Sequence, residues 1–157
     1  MKQFLLLMIA IAGISLGGFQ KETTYRFCDC VPLPFSSQVY GKWRMMAVKD
    51  NATGQTISKP VSIQGEVEIT LDPTSETGGY YSGTTPTNYI NQSKFEIAAP
   101  ASISFKDPNM TKVGETSWGS EFVDNIPCTG SFYLVSTGMG IHMSIVIASK
   151  TLIFEKQ

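Results

Sequence analysis

Charge is what this sequence has least of. Only 16% of its 157 residues are Asp, Glu, Lys or Arg, the formal net charge is −1, and no run of like charge occurs. Leaving out Lys2 takes the 12 basic side chains to 11, against 13 acidic ones. Phosphate binding needs a clustered basic footprint, so nucleic acid is excluded as a partner. Histidine is limited to His142. Ser-His-Asp and Cys-His catalysis both require a histidine, and this one falls mid-strand on the face alternate to Ile141, Met143 and Ile145, the setting of a solvated side chain. Glu66 and Glu68 are two apart on a strand, about 7 Å, and suit a solvated sheet face better than a glycosidase pair. Gly138-Met139-Gly140 leads into a strand rather than a helix, which excludes a phosphate loop. The expectation is a non-enzyme with no catalytic residue, no cofactor and no metal.

Long apolar runs are missing beyond Phe19. Residues 1–18 have the pattern of a secretory signal peptide: Lys2 as the positive region, Phe4 to Leu16 as the apolar stretch, and Ser15-Leu16-Gly17 as a cleavage site. The run from Phe4 to Phe19 is 16 residues and holds three glycines, short of the roughly 18–20 apolar residues of a membrane span. Membrane attachment would therefore come only through an uncleaved leader. The expected location is exported, periplasmic or secreted.

Cysteine is scarce as well, with Cys28, Cys30 and Cys128. Export places them in an oxidising compartment. Cys28 and Cys30 are separated by one residue and pair poorly with each other, so Cys30 or Cys28 is expected to bridge to Cys128. Such a bridge would close a loop of about 100 residues and contribute up to about 4–5 kcal/mol on the chain-entropy account. A zinc site made with His142 has suitable donors, but the spacing fits no C-x₂₋₄-C pattern.

What is present is a period of two. Residues 19–38, with Val31-Pro32-Leu33-Pro34, form an extended linker, and residues 39–157 form the domain. Trp43, Met45 and Ala47 alternate with Lys42, Arg44 and Met46; Val67, Ile69 and Leu71 alternate with Glu66, Glu68 and Thr70. Phe95 and Ile97, Ile103 and Phe105, Phe132 and Leu134, Ile141 to Ile147, and Leu152 and Phe154 supply further strands. Ser117 to Ile126 departs from this pattern. Trp118, Phe122, Val123 and Ile126 share one helix face, Ser117 can cap it, and Pro127 ends it. The expected fold is mainly β: a compact antiparallel β-barrel or sandwich with one short helix before the last strands.

The stretch Gly78 to Ile97, GGYYSGTTPTNYINQSKFEI, concentrates backbone constraint. Gly83-Thr-Thr-Pro86 reads as a turn, with Asn88 bonding the turn backbone through its side chain.

The order of these features resembles the META-domain, HslJ-like family. The resemblance rests on Gly41-Lys42-Trp43 opening the first strand, Gly83-Thr-Thr-Pro-Thr-Asn88-Tyr89 at mid-chain, Met110-Thr111-Lys112 after a sheet strand, Glu121-Phe122 in a helix, and a terminal strand pair closing on Leu152-Ile153-Phe154. It covers about Tyr40 to Lys156 and makes Gly41, Trp43, Gly83, Asn88 and Phe122 the structural signature. It implies a compact antiparallel β-domain with a small helix, in exported or envelope-associated bacterial proteins linked to stress resistance, and no catalytic activity. Two cysteines common in the family, one beside the mid-chain asparagine and one after the Thr-x-Met-type element, are absent, since Thr87 precedes Asn88 and no cysteine lies near Met110 to Gly114. No thiol function carries over.

Gly-x-Trp also opens lipocalins, which enclose small apolar ligands in barrels of simple up-and-down strand order, with a helix after the last barrel strands. The helix position here favours the META resemblance. The functional expectation is a non-enzymatic envelope protein acting through an unknown protein partner. The alternatives are a binder of a small apolar ligand and an exported protease inhibitor, whose exposed loop would be Asp72 to Gly79.

Overall fold

Alternation of apolar and polar residues decides which face of each strand turns inward, and in this chain the inward faces meet in a closed ring. The computed structural model describes residues 37–126 and 128–157. A 3₁₀ turn, Ser37–Val39, leads into β1 (Gly41–Asp50), followed by β2 (Thr56–Ser58), β3 (Glu68–Ser75), β4 (Gly78–Thr84), β5 (Tyr89–Ala98), β6 (Ser102–Phe105) and β7 (Asn109–Met110). The helix α1 (Ser117–Val123) follows, then β8 (Cys128–Thr137), β9 (Gly140–Val146) and β10 (Lys150–Lys156).

Eight of these strands close an antiparallel barrel in the order β1-β3-β4-β5-β6-β8-β9-β10, with β10 pairing back onto β1. Every neighbour in the ring is also the next barrel strand along the chain, so this is an up-and-down meander. Two short strands lie off the ring, β2 on the second half of β1 and β7 on the start of β5. The simple strand order is what the lipocalin comparison called for, while the helix sits inside the strand succession rather than after it.

The chain direction gives the barrel two distinct ends. The lower end carries Gly41, Lys156 and the β3–β4, β5–β6 and β8–β9 connections; the upper end carries the β4–β5 and β9–β10 connections and the long crossover that contains α1. At the lower end, Trp43 donates its indole N–H to the Val39 carbonyl at 2.7 Å, and the Lys156 ammonium lies 5.4 Å from the ring centroid. Gly41 enters β1 at φ +110°, a conformation that favours glycine. At the upper end, α1 buries Trp118 and Phe122, and the Phe122 ring meets Phe154 edge-on at 6.3 Å.

Three local expectations are corrected. The β1–β10 register shifts between Met45 and Ala47, so Met46 bulges outward and the phase of β1 changes: Val48, not Ala47, is buried. Gly83 lies within β4 rather than in a turn, which occupies residues 85–88 instead. Asp72 to Gly79 is not an extended loop, because β3 and β4 take all of it except Glu76 and Thr77.

The glycines of β4 allow the sheet to bend. A Cβ on Gly79 would stand 2.0 Å from the Asp72 carbonyl oxygen, and one on Gly83 would stand 2.1 Å from that of Glu68. Both glycines alternate with the fully buried Tyr81, whose hydroxyl donates to the Lys106 carbonyl at 2.7 Å. Gly79→Ala and Gly83→Ala are each expected to destabilise by about 1–3 kcal/mol or more in chemical denaturation. Gly138→Ala, with nothing within 4 Å of the added carbon, is expected to leave the midpoint unchanged. Phe122→Ala, which empties the fully buried helix anchor, is expected to cost about 3–5 kcal/mol by the same measurement.

Candidate functional site

The signature residues do not converge on one place. Gly41 and Trp43 close the lower end, Gly83 belongs to the wall, and Asn88 and Phe122 belong to the upper end. Cys128 sits opposite Phe105 at the start of β8, half-buried, and burial pushes its thiol up to about 11, which suppresses the reactive thiolate. Cys30 and Cys28 lie outside the described residues, and so do the leader and most of the linker. Among the described residues, no group of three or more His, Cys, Asp or Glu side chains could hold a metal ion. His142 is half-exposed on β9, opposite Val135 and Glu155.

The polar groups that do converge are at the upper end, around Asn88 and Glu115. Asn88 is 2% exposed. Its amide oxygen accepts from the Val113 backbone N–H at 2.8 Å and from the Thr111 hydroxyl at 3.0 Å, and its amide nitrogen donates to the Val113 carbonyl at 3.0 Å and to Glu115 Oε2 at 2.9 Å. The side chain thus spans to the segment after β7 and, within its own turn, reaches only the Thr87 hydroxyl at 3.1 Å and not the backbone; the turn is tied by Thr85, whose hydroxyl accepts from the Asn88 backbone N–H at 2.9 Å. Four distant groups held by one buried amide leave it fully satisfied, the condition under which a buried polar residue stabilises.

Glu115 is the second half of the hub, and nothing in its spacing marked it in advance. Its carboxylate accepts from the hydroxyls of Thr85 and Thr87 (2.8 Å for Thr87), from Asn88, and from the Thr116 backbone N–H at 2.9 Å. Thr116, not Ser117, is the N-cap of α1: its hydroxyl accepts from the Gly119 N–H at 3.0 Å. The carboxylate packs so closely on the first helical turn that a Cβ on Gly119 would lie 2.1 Å from Glu115 Oε1. Burial raises the Glu115 pKa, but the hydrogen bonds from Thr85, Asn88, Thr87 and Thr116 together outweigh it, and the net shift is downward. A carboxylate so surrounded is kept ionised, with its oxygens committed to protein donors. It is a staple between the β4–β5 turn and the helix, not an acid or base for a substrate.

Two open clefts lie on the outer wall. One, of about 390 Å³, runs beside the β3–β4 hairpin between Thr77, Tyr80 and Lys94. The other, of about 300 Å³, lies over Gly83 between Lys42, Glu68 and Tyr89.

No family model matches the chain, and no curated protein does. The chain is similar to a solved structure, the NMR structure of a protein from Burkholderia xenovorans, at 18% identity over 79% of this chain and 88% of that one, with a TM-score of 0.60. At that identity the likeness shows the fold alone.

The hub predicts an acid dependence. Glu115 has a folded-state pKa below its ordinary value of 4.5, so its contribution to stability is complete at neutral pH and is lost as the pH falls from about 4.5 through the folded value. Denaturation midpoints measured across this window are expected to decline for the natural chain and to decline less steeply for Glu115→Gln, which starts lower at pH 7. Asn88→Ala, which strands the Val113 N–H and the Glu115 carboxylate, is expected to cost about 2–4 kcal/mol at pH 7.

Proposed function

We propose that this chain is a non-enzymatic, exported module of the META (HslJ-like) type that acts in the bacterial cell envelope through protein contacts. The observation that carries this reading is a barrel interior occupied by the protein's own side chains. Trp43, Tyr81, Phe95, Phe105, Trp118, Phe122 and Phe154 are all buried, with α1 at one end and the Trp43 contact at the other. Each such side chain removed from water is worth about 1.5–3 kcal/mol, so emptying the interior for a ligand would forfeit much of the domain's stability. What remains for recognition is the outside. The β8–β9 hairpin presents Tyr133, Val135 and Met139 as exposed apolar side chains, a composition suited to a protein partner.

A second reading, a lipocalin-like binder of a small apolar ligand, is supported by the meander order and by one interior group, since the Trp118 indole N–H is buried without a hydrogen-bond partner among the described residues. The protease-inhibitor alternative loses its loop, because the segment proposed for it is a hairpin with two connecting residues.

The two readings separate in one pair of experiments. Affinity capture with the exported protein from its native envelope is expected to return a reproducible protein partner, lost with Tyr133→Lys or Val135→Lys. Organic extraction of the purified protein followed by mass spectrometry is expected to return no stoichiometric apolar compound. A stoichiometric ligand, released by a bulkier interior substitution such as Val48→Trp, would replace the first reading with the second.

A further inference from the structure

We infer that the outer face of β4 and β5 is a binding groove for a neutral oligosaccharide. The inference goes beyond the protein-contact reading and does not depend on it. Its starting point is a departure from regular pairing. Tyr81 faces Ser93 and Gly83 faces Ile90, so β5 places two residues, Asn91 and Gln92, where β4 has only Ser82. Both extra residues are exposed, which is how a bulge re-aims side chains out of the wall. Beside them lies the cleft of about 300 Å³, whose lining includes Thr70, Ser82, Thr84, Tyr89 and Asn91.

The walls of this cleft have a particular chemistry. Tyr89, opposite Thr84, is 65% exposed, whereas most rings among the described residues are buried. The hydroxyls of Thr70, Ser82 and Thr84 and the side-chain amide of Asn91 stand around it, and none of them hydrogen-bonds another described residue. Thr70 pairs with Ser82, and Glu68 pairs with Thr84, so these groups form two adjoining rows on one sheet face. A ring face beside uncommitted hydroxyl and amide groups matches a sugar, whose C–H face stacks on an aromatic ring while its hydroxyls donate and accept at the edges.

Other ligand classes fit less well. Lys42 and Glu68 lie at one margin of this cleft and neutralise each other at 2.7 Å, leaving no cationic centre there for an anionic ligand. Strand addition by a peptide needs a free main-chain edge, whereas beside this cleft Glu68–Leu71 of β3 and all of β4 are paired on both sides, and β5 pairs with β4 on one side and with β6 and β7 on the other. The groove is also longer than one sugar. Tyr80, Ser82 and Thr84 point outward in succession, and Tyr80, 38% exposed, borders the second cleft across from Lys94. Four residue steps lead from Tyr80 to Thr84, about 13 Å of strand, so Tyr80 and Tyr89 bracket a polar strip that suits a short chain of sugars.

The test is a titration of the purified full-length chain, followed by backbone NMR, with cellohexaose, maltohexaose, laminarihexaose, xylohexaose, mannohexaose and chitohexaose, and with a heparin hexasaccharide as the anionic probe. At least one neutral hexaose is expected to shift the resonances of Thr70, Ser82 to Thr84 and Tyr89 to Gln92, and its parent monosaccharide to shift them far less. Tyr89→Ala is expected to weaken that binding about tenfold with an unchanged thermal midpoint, because the removed ring is exposed. Asn91→Ala serves as the second variant and is expected to weaken it less. The inference is overturned if no neutral hexaose shifts these residues, if only heparin does, or if both variants bind as tightly as the natural chain. Any of those results leaves the outcome of the envelope capture experiment unaffected.

Discussion

The pairing of β1 with β10 is the constraint on which the rest of the structure depends. It joins Trp43–Asp50 to Lys150–Lys156, the first and last strands of the domain, and converts a meander with two exposed edges into a ring with none. The ring then dictates the interior. An eight-strand barrel is just wide enough for side chains to fill it, and here the inward positions carry large rings in place of a lumen. Closure also explains why both ends need plugs. A barrel open at its mouth would wet Phe154 and Met143 from one side or the other; Trp43 with the 3₁₀ turn and α1 with Phe122 prevent it.

Closing so small a ring forces sharp curvature somewhere, and the chain concentrates it in β4 and β5. Gly79 and Gly83 let the backbone approach β3 where no Cβ would fit, and the bulge at Asn91 and Gln92 absorbs the remaining mismatch. The bulge also disturbs the outer surface, by adding projecting side chains. An irregularity of the wall therefore creates relief outside, and two clefts lie along this pair of strands.

Much of the fold was legible because burial on one face writes a period of two. Glu66 to Leu71, Ser102 to Phe105 and Ile141 to Ile145 carried that signal, and Trp118 with Phe122 carried the helical one. Where the expectation failed, a local feature had erased the period. Met46 inserts one residue and inverts the phase, so Ala47 and Val48 exchange faces. Gly78 to Thr84 has too few apolar side chains to alternate, and glycines that serve a strand bend look like glycines that serve a turn. The upper hub was half legible. Asn88 stood out by its place in a constrained stretch, but its partners at Val113 and Glu115 are 25 and 27 residues away, and a contact of that separation leaves no local pattern. Glu115 resembles any surface glutamate until the fold brings Thr85, Thr87 and Asn88 to it.

Closure, filling and low charge together restrict how such a protein can recognise anything. With the ring complete, the barrel's main-chain hydrogen-bonding groups are largely spoken for, so recognition by strand pairing is left to short stretches paired on one side, β2, β7 and the far end of β3. With the interior filled, a cavity ligand must displace large side chains whose burial sustains the domain. With five ion pairs among the described residues tying Lys and Arg to Glu, long-range electrostatic steering is weak. Specificity then has to come from uncharged groups at short range, on faces where the sheet departs from regularity. The outer wall offers two uncharged faces of opposite character, the apolar and regularly paired β8–β9 hairpin and the hydroxyl-rich, bulged β4–β5 surface, and they lie apart around the ring.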